Sequence, residues 1–293
     1  MPECSSFNVN SDSSLAEPLT QSLLTMFPSI PSVLFNITFL LSTTTPILAA
    51  CTRADLLLAA SEFVTAVFGG NVSSLPFASN FTYQENNKPA SINDTDVFSE
   101  PLPIDLTRST ADTVACASYT LIVSASGAIP YVLATQIRHA GGSDENDGPG
   151  PFTQIDTIAA TTGSLFFDAA KTLGYLRNES WAELPEAERP SRELLRQVGD
   201  AYLDMWTDPN AADSISWGTD CERVEGSQYT RPCGEQLPRG GSQQNNGNRR
   251  YVIDEVVGSV DVLCSFDALG SLPDSHEIRV EDGKVKYVHT VTV

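Results

Sequence analysis

RADLLLAASEFVTAVF, residues 53–68, and SRELLRQVGDAYLDMW, residues 191–206, read the same way. In the first, Leu57, Ala60, Val64 and Val67 fall on one helical stripe, Leu56, Ala59 and Phe63 widen it, and Gly69-Gly70 stops it. In the second, Ser191 can cap the start, and Leu194, Leu195, Val198, Ala201, Tyr202, Met205 and Trp206 make the apolar face. Each helix leads into strand-like sequence. The first is followed by residues 113–123, 131–138 and 152–160, and the second by residues 249–266, 276–280 and 284–293. Gly258 reads as the bend or bulge of one long strand over 249–266. Glu281-Asp282-Gly283 reads as a tight hairpin turn.

One helix laid on a curled antiparallel sheet, used twice, predicts an α+β chain of two cone-shaped domains, at 51–176 and 177–293. Between these elements, residues 81–85 suit a short strand and 86–103 a polar loop. Residues 217–230 read as irregular, and 232–248 as a mobile loop rich in Gly, Gln and Asn.

The formal net charge of -20 argues against nucleic acid, whose phosphates require Lys and Arg, and against anionic membrane surfaces. Export is expected instead. Met26 offers a second start, residues 27–41 are mostly apolar and uncharged, and Ile47-Leu48-Ala49-Ala50 supplies small residues before Cys51. Residues 26–50 therefore read as a signal peptide, and 1–25 as a leader or disordered extension. Pro28, Pro31 and Pro46 interrupt the apolar run, so no membrane span is expected after processing. Asn71, Asn80, Asn93 and Asn178 each begin a glycosylation acceptor triplet.

Past residue 50 the cysteines are Cys51, Cys116, Cys221, Cys233 and Cys264, so at least one is unpaired within the chain. Cys221 and Cys233 flank a polar loop and form the easiest disulfide. Cys51 with Cys116 would tie the first helix to the first sheet. Cys264, in an apolar strand, suits a buried free thiol. No spacing resembles a zinc site. No metal or cofactor is expected.

Alternation along the strands of the second half sorts the candidate chemistry. Asp254 is the single charge on a face with Val252, Val256, Val260, Val262 and Cys264. His276 shares a face with Ile278 and Val280, and Tyr287 and His289 with Val285 and Val291. If these faces point inward, Asp254, His276, Tyr287 and His289 share one dry pocket. A carboxylate beside imidazoles can fix a tautomer and support proton transfer. The bland reading is that each is a hydrogen-bonded core group. Trp206 and Trp217 either line the mouth of such a pocket or pack. In the first half, Tyr83, Glu85, Gln136 and Arg138 are polar candidates. Arg108 and Asp105 suit an ordinary salt bridge, and His139, beside a Gly-rich loop, is expected to be exposed. No nucleotide loop, Gly-x-Ser-x-Gly elbow or His-Glu-x-x-His is present.

Asn248-Arg-Arg-Tyr-Val-Ile-Asp-Glu-Val-Val-Gly and Pro273-Asp-Ser-His-Glu-Ile-Arg-Val-Glu-Asp-Gly-Lys-Val-Lys-Tyr-Val-His resemble a family of secreted fungal proteins of unassigned function. So do Cys51-Thr-Arg-Ala-Asp-Leu-Leu, Tyr83-Gln-Glu-Asn-Asn-Lys and Arg108-Ser-Thr. The closing Arg-Val-Glu-Asp-Gly-Lys-Val looks like the last hairpin of the SnoaL-like, nuclear-transport-factor-like superfamily, which includes scytalone dehydratase and ketosteroid isomerase. That resemblance implies a cone of sheet closed by helices and acid–base chemistry on a small apolar metabolite: dehydration, isomerisation or cyclisation, including a hetero-Diels–Alder reaction. Asp254, His276 and His289 could supply its His and Asp by position type. The superfamily also holds binding modules without turnover, and a homodimer is open to such a fold.

Overall fold

The computed structural model describes residues 51–141 and 149–293. The leader and signal segments expected over 1–50 lie outside them. Helix α1, Arg53–Gly69, begins where the Thr52 hydroxyl accepts the Asp55 amide at 3.2 Å. It ends at Gly70, whose φ of 64° lets its N–H return to the carbonyls of Ala66 and Val67. The first sheet contains β1 (Phe77–Glu85), β2 (Lys88–Ala90), β3 (Leu106–Asp112), β4 (Ala117–Ser124), β5 (Tyr131–His139) and β6 (Phe152–Ala160). Helix α2, Ala169–Leu176, begins the connection to the second half. There α3, Arg192–Asp204, is capped by Ser191. The second sheet contains β7 (Trp217–Glu225), β8 (Gln228–Thr230), β9 (Gly247–Asp254), β10 (Ser259–Phe266), β11 (Leu272–Glu281) and β12 (Lys284–Thr292).

The two sheets have the same topology. The first runs β2-β1-β6-β5-β4-β3 and the second β8-β7-β12-β11-β10-β9. The α+β fold with two sheet-containing lobes follows the sequence reading, with four differences. Each sheet is mixed rather than antiparallel, because β1 lies parallel to β6 and β7 parallel to β12. Neither sheet closes on itself. Residues 217–230 are not irregular: they form β7 and β8, and β7 is held by β12 from far along the chain. Residues 249–266 are a hairpin rather than one bent strand. Gly258, at φ 66°, ends its turn, as Cys116 does at φ 48° in the first lobe.

Three apolar cores organise the lobes. One lies between α1 and the first sheet, through Ala59, Phe63, Val67, Ile122, Leu133, Ile137 and Ile155. A second lies between α3 and the second sheet, through Leu195, Val198, Tyr202, Val260, Val262, Ile278 and Val288. A third joins the opposite faces of both sheets, through Leu121, Val123, Ala134 and Ile158 of one and Val252, Leu263 and Val291 of the other, with α2 against them. The central strands are therefore buried on both faces, and β4 is buried at every position. Disulfides join Cys51 to Cys116 and Cys221 to Cys233, with Cα separations of 5.4 and 5.1 Å, and Cys264 is a buried free thiol.

Candidate functional site

The four sequence candidates fall into three separate settings. His276 and His289 point to opposite faces of the second sheet, because His276 pairs with Thr290 while His289 pairs with Glu277. The cause is a register shift between Val280↔Val285 and Arg279↔Tyr287. It leaves Val285 on the face packed against α3 and turns Tyr287 and His289 to the inter-sheet face.

Asp254 also faces the other lobe. Its carboxylate accepts from Arg53 Nε at 3.1 and 3.2 Å, from the Ala111 amide at 2.9 Å and from the Val256 amide at 3.0 Å. Pairing Asp254↔Ser259↔Arg279↔Tyr287 places it three strands from Tyr287, about 14 Å at ordinary strand spacing. Its apolar neighbours Val252 and Leu263 belong to the inter-lobe core. Asp112, at the matching end of β3, makes the reverse contacts. It accepts from Arg192 Nη1 and Nη2 at 2.7 and 2.8 Å and from the Ile253 amide at 2.9 Å.

His289 sits in a buried charge cluster under the chain that joins the lobes. Its Nε2 lies 2.7 Å from Glu179 Oε1 and its Nδ1 3.0 Å from Glu277 Oε2. Burial pushes its pKa down, but the charge and hydrogen bond of Glu179 and the hydrogen bond of Glu277 outweigh this and hold it above the ordinary value. Burial likewise opposes ionisation of Glu277 and Glu179. Arg108 and His289 overcome it, and both carboxyls end below their usual range. Arg108 pairs with Glu277, lies 3.5 Å from Glu179 and stacks 3.7 Å from the Trp181 ring centre. Trp181 covers Tyr287 as well, with ring centres 5.8 Å apart. Arg108 and His289 both face the two carboxylates, and Arg108 Nη2 lies 3.0 Å from His289 Nδ1, a buried clasp of the kind that holds structure together. Asp105 instead binds the amides of Ala125 and Ser126 at 2.7 and 2.8 Å, so the expected Asp105–Arg108 bridge is absent. His139 is buried against Phe152, not exposed, and burial lowers its pKa.

His276 alone of the four lies on the face of the second sheet that packs against α3. Tyr202, Phe266 and Trp206 surround its ring at centre distances of 5.2, 6.1 and 6.3 Å. Its Nε2 lies 2.6 Å from Asp274 Oδ2 without hydrogen-bond alignment, and neither ring nitrogen has a hydrogen-bond partner. Asp274 is fixed through Oδ1 by the Thr292 hydroxyl at 2.8 Å and the Ser275 amide at 3.0 Å. Cys264 pairs across the ladder with Asp274 and completes a buried trio whose ligand-capable atoms lie within 4.8 Å of one another. Nearby, the Tyr202 hydroxyl donates to Glu225 at 3.2 Å, and Arg223 lies 3.2 Å from the same carboxylate. Trp206 packs edge-on to Phe266 at 4.7 Å, and Trp217 donates to the Ala212 carbonyl at 3.1 Å, so both serve the packing of this lobe.

The internal repeat supplies a control. Ile122↔Leu133 and Thr120↔Thr135 in the first sheet correspond to Cys264↔Asp274 and Val262↔His276 in the second. The trio thus stands where the first lobe has Ile122, Leu133 and Thr135. Sequence reasoning missed Asp274 because it lies outside the strand expected over 276–280, whereas β11 begins at Leu272, and missed the trio because its members are neighbours across strands. The pattern Asp-x-His, opposite a cysteine in an apolar strand, was the available signal. The larger clefts lie elsewhere, outside α1 and α3, at about 560 and 530 Å³.

A family model described as a domain of unknown function (DUF8021) matches residues 188–292, the second lobe from just before α3 to the end of β12. No curated protein and no solved structure matches the chain.

Proposed function

We propose that this chain is an exported fungal protein built from two SnoaL-like repeats, whose second cone acts on a small apolar metabolite of secondary metabolism. The chemistry is proton transfer: dehydration, isomerisation or cyclisation, with His276 moving the proton and Asp274 orienting it. The observation that carries this reading is the buried trio where the sister lobe keeps Ile122, Leu133 and Thr135. The sister lobe has the same topology without a thiol, a carboxylate or an imidazole at those places, so packing alone does not require them. His289, Asp254 and Tyr287 hold the lobes and their connection together.

Export is supported by the two disulfides, which persist in oxidising compartments. Among the described residues no helix is long and apolar enough to cross a membrane. Asn71, Asn80, Asn93 and Asn178 are all exposed, as glycan attachment requires. Mass spectrometry of chain secreted by a fungal host should find a start near Cys51 and glycans on some of these four. Intact Met1 and bare asparagines would remove the compartment from the proposal.

The functional test is gene deletion in the host followed by metabolite profiling. An apolar metabolite should accumulate, wild type should clear it, and a His276→Thr chain secreted at equal level should not. An unchanged profile, or full rescue by His276→Thr, would overturn the reading. A second reading, binding without turnover, is favoured by the ring of Tyr202, Trp206 and Phe266 closed around His276. It predicts a metabolite that raises the melting temperature and is recovered unaltered.

A further inference from the structure

We propose that Cys264, Asp274 and His276 form a binding site for a zinc-class divalent ion within the second lobe. This rests on the reading of the second cone as the functional one and gives it a regulator. The ion would take the imidazole lone pair that proton transfer needs, so bound metal silences His276.

The donor set is the first argument. A thiol, a carboxylate and an imidazole lie within 4.8 Å of one another, and all three residues are buried. Thiolate and imidazole together suit zinc, whereas calcium and magnesium take oxygen ligands in larger shells. With Cys264 and Asp274 ionised and His276 neutral, a divalent ion makes the cluster electrically neutral. That is the condition under which charge is tolerated in a dry interior. Binding sends the thiol proton to solvent.

The second argument is unmet bonding capacity. His276 is 2% exposed, and its Nδ1 has no hydrogen-bond partner, while its Nε2 lies 2.6 Å from Asp274 Oδ2 out of hydrogen-bond alignment. That Oδ2 has no other partner, whereas Oδ1 is engaged by Thr292 and Ser275. The carboxylate is thus oriented by the oxygen it does not offer, an outer-shell arrangement that holds a ligating group in place.

The third argument is the sister lobe. Ile122, Leu133 and Thr135 fill the equivalent positions, and Thr135 bonds the Thr157 hydroxyl at 3.1 Å. That lobe is satisfied as it stands. It also names substitutions that this backbone accommodates: Cys264→Ile, Asp274→Leu and His276→Thr.

The test is metal analysis of the full secreted chain, both as purified and after refolding in zinc chloride. One equivalent of zinc per chain is expected. Replacement by cobalt should give the intense visible spectrum of a tetrahedral ion and a thiolate-to-metal charge-transfer band. Both should vanish in Cys264→Ile, and magnesium should not bind. A wild-type chain with native near-ultraviolet circular dichroism that takes up no zinc by either route would overturn the proposal, and this arm needs no variant. So would a cobalt spectrum without the thiolate band, or retention of zinc by Cys264→Ile or His276→Thr. Metabolite turnover by a chain that binds no zinc would remove the ion and leave the proton-transfer reading standing. Zinc uptake with an unchanged metabolite profile would do the reverse.

Discussion

Asp112 and Asp254 stand at the same point of the two lobes, and each grips the first helical arginine of the other. Asp112 holds Arg192 at the start of α3, and Asp254 holds Arg53 at the start of α1. Each also takes one strand amide from across the boundary, Ile253 for Asp112 and Ala111 for Asp254. The contacts are reciprocal, as at the interface of a two-fold dimer.

Removing either carboxylate should therefore loosen both the lobe boundary and a helix start. Asp112→Ala and Asp254→Ala are each expected to lower stability by about 1.5–3 kcal/mol, the range for hydrogen bonds to charged groups. Denaturant titration measures this. Asp254→Ala combined with Arg53→Ala should lose less than the sum of the single variants. Strict additivity would show that the pair does not act as a unit.

The His289 clasp gives stability a pH profile. The folded pKa of His289 is raised, so its contribution is complete below the unfolded value of about 6.5 and is lost as pH climbs through the folded value. The pKa values of Glu179 and Glu277 are lowered, so their contribution is present above about pH 4.5 and fades as pH falls through the folded values. Melting temperature should be highest between about pH 4.5 and 6.5 and decline on both sides. His289→Gln should lose about 1–3 kcal/mol at pH 6 and flatten the alkaline side. Matching alkaline limbs in variant and wild type would count against the clasp.

The two disulfides should differ in weight. Cys51–Cys116 closes a separation of 65 residues and Cys221–Cys233 one of 12. Chain entropy assigns them about 4 and about 3 kcal/mol respectively. Paired Cys→Ala replacements compared by denaturant midpoint would test the order. In the same experiment Cys264 should react with a maleimide only after unfolding.

Two glycines with almost equal backbone angles should respond differently to alanine. Gly258 and Gly283 have φ of 66° and 68°. A Cβ at Gly258 would strike the Val280 carbonyl and lie 2.9 Å from Leu184, whereas at Gly283 it meets nothing within 4 Å. Gly283→Ala should cost about 1–2 kcal/mol, for the left-handed conformation alone. Gly258→Ala should cost clearly more, and equal losses would contradict the packing described at the hairpin turn.

What could be read from the sequence was local. Ser191, the apolar stripes of α1 and α3, the Asp282-Gly283 turn and the cysteine pairing all depend on neighbours a few residues away or on simple proximity. The strand faces were harder. With sheets packed on both sides, alternation shows which residues share a face but not which face lines the cone, so the apolar company of Asp254 marked the lobe boundary. β7 was hidden because Asp220, Glu222, Arg223 and Glu225 break its apolar pattern. Its main pairing is the long-range one with β12, and β8 adds three residue pairs at its far end.

The join between the lobes changes what the reciprocal contacts have to do. Separate copies meeting through such a face must find each other, and dilution parts them. Tethered halves meet at an effective concentration of about millimolar order, whatever the bulk concentration. Stoichiometry is fixed at one to one. A symmetric assembly of identical copies also accepts every substitution twice, once on each side of the axis. Here a change in one half has no mirror image, so one lobe can acquire cysteine, aspartate and histidine while its twin keeps isoleucine, leucine and threonine.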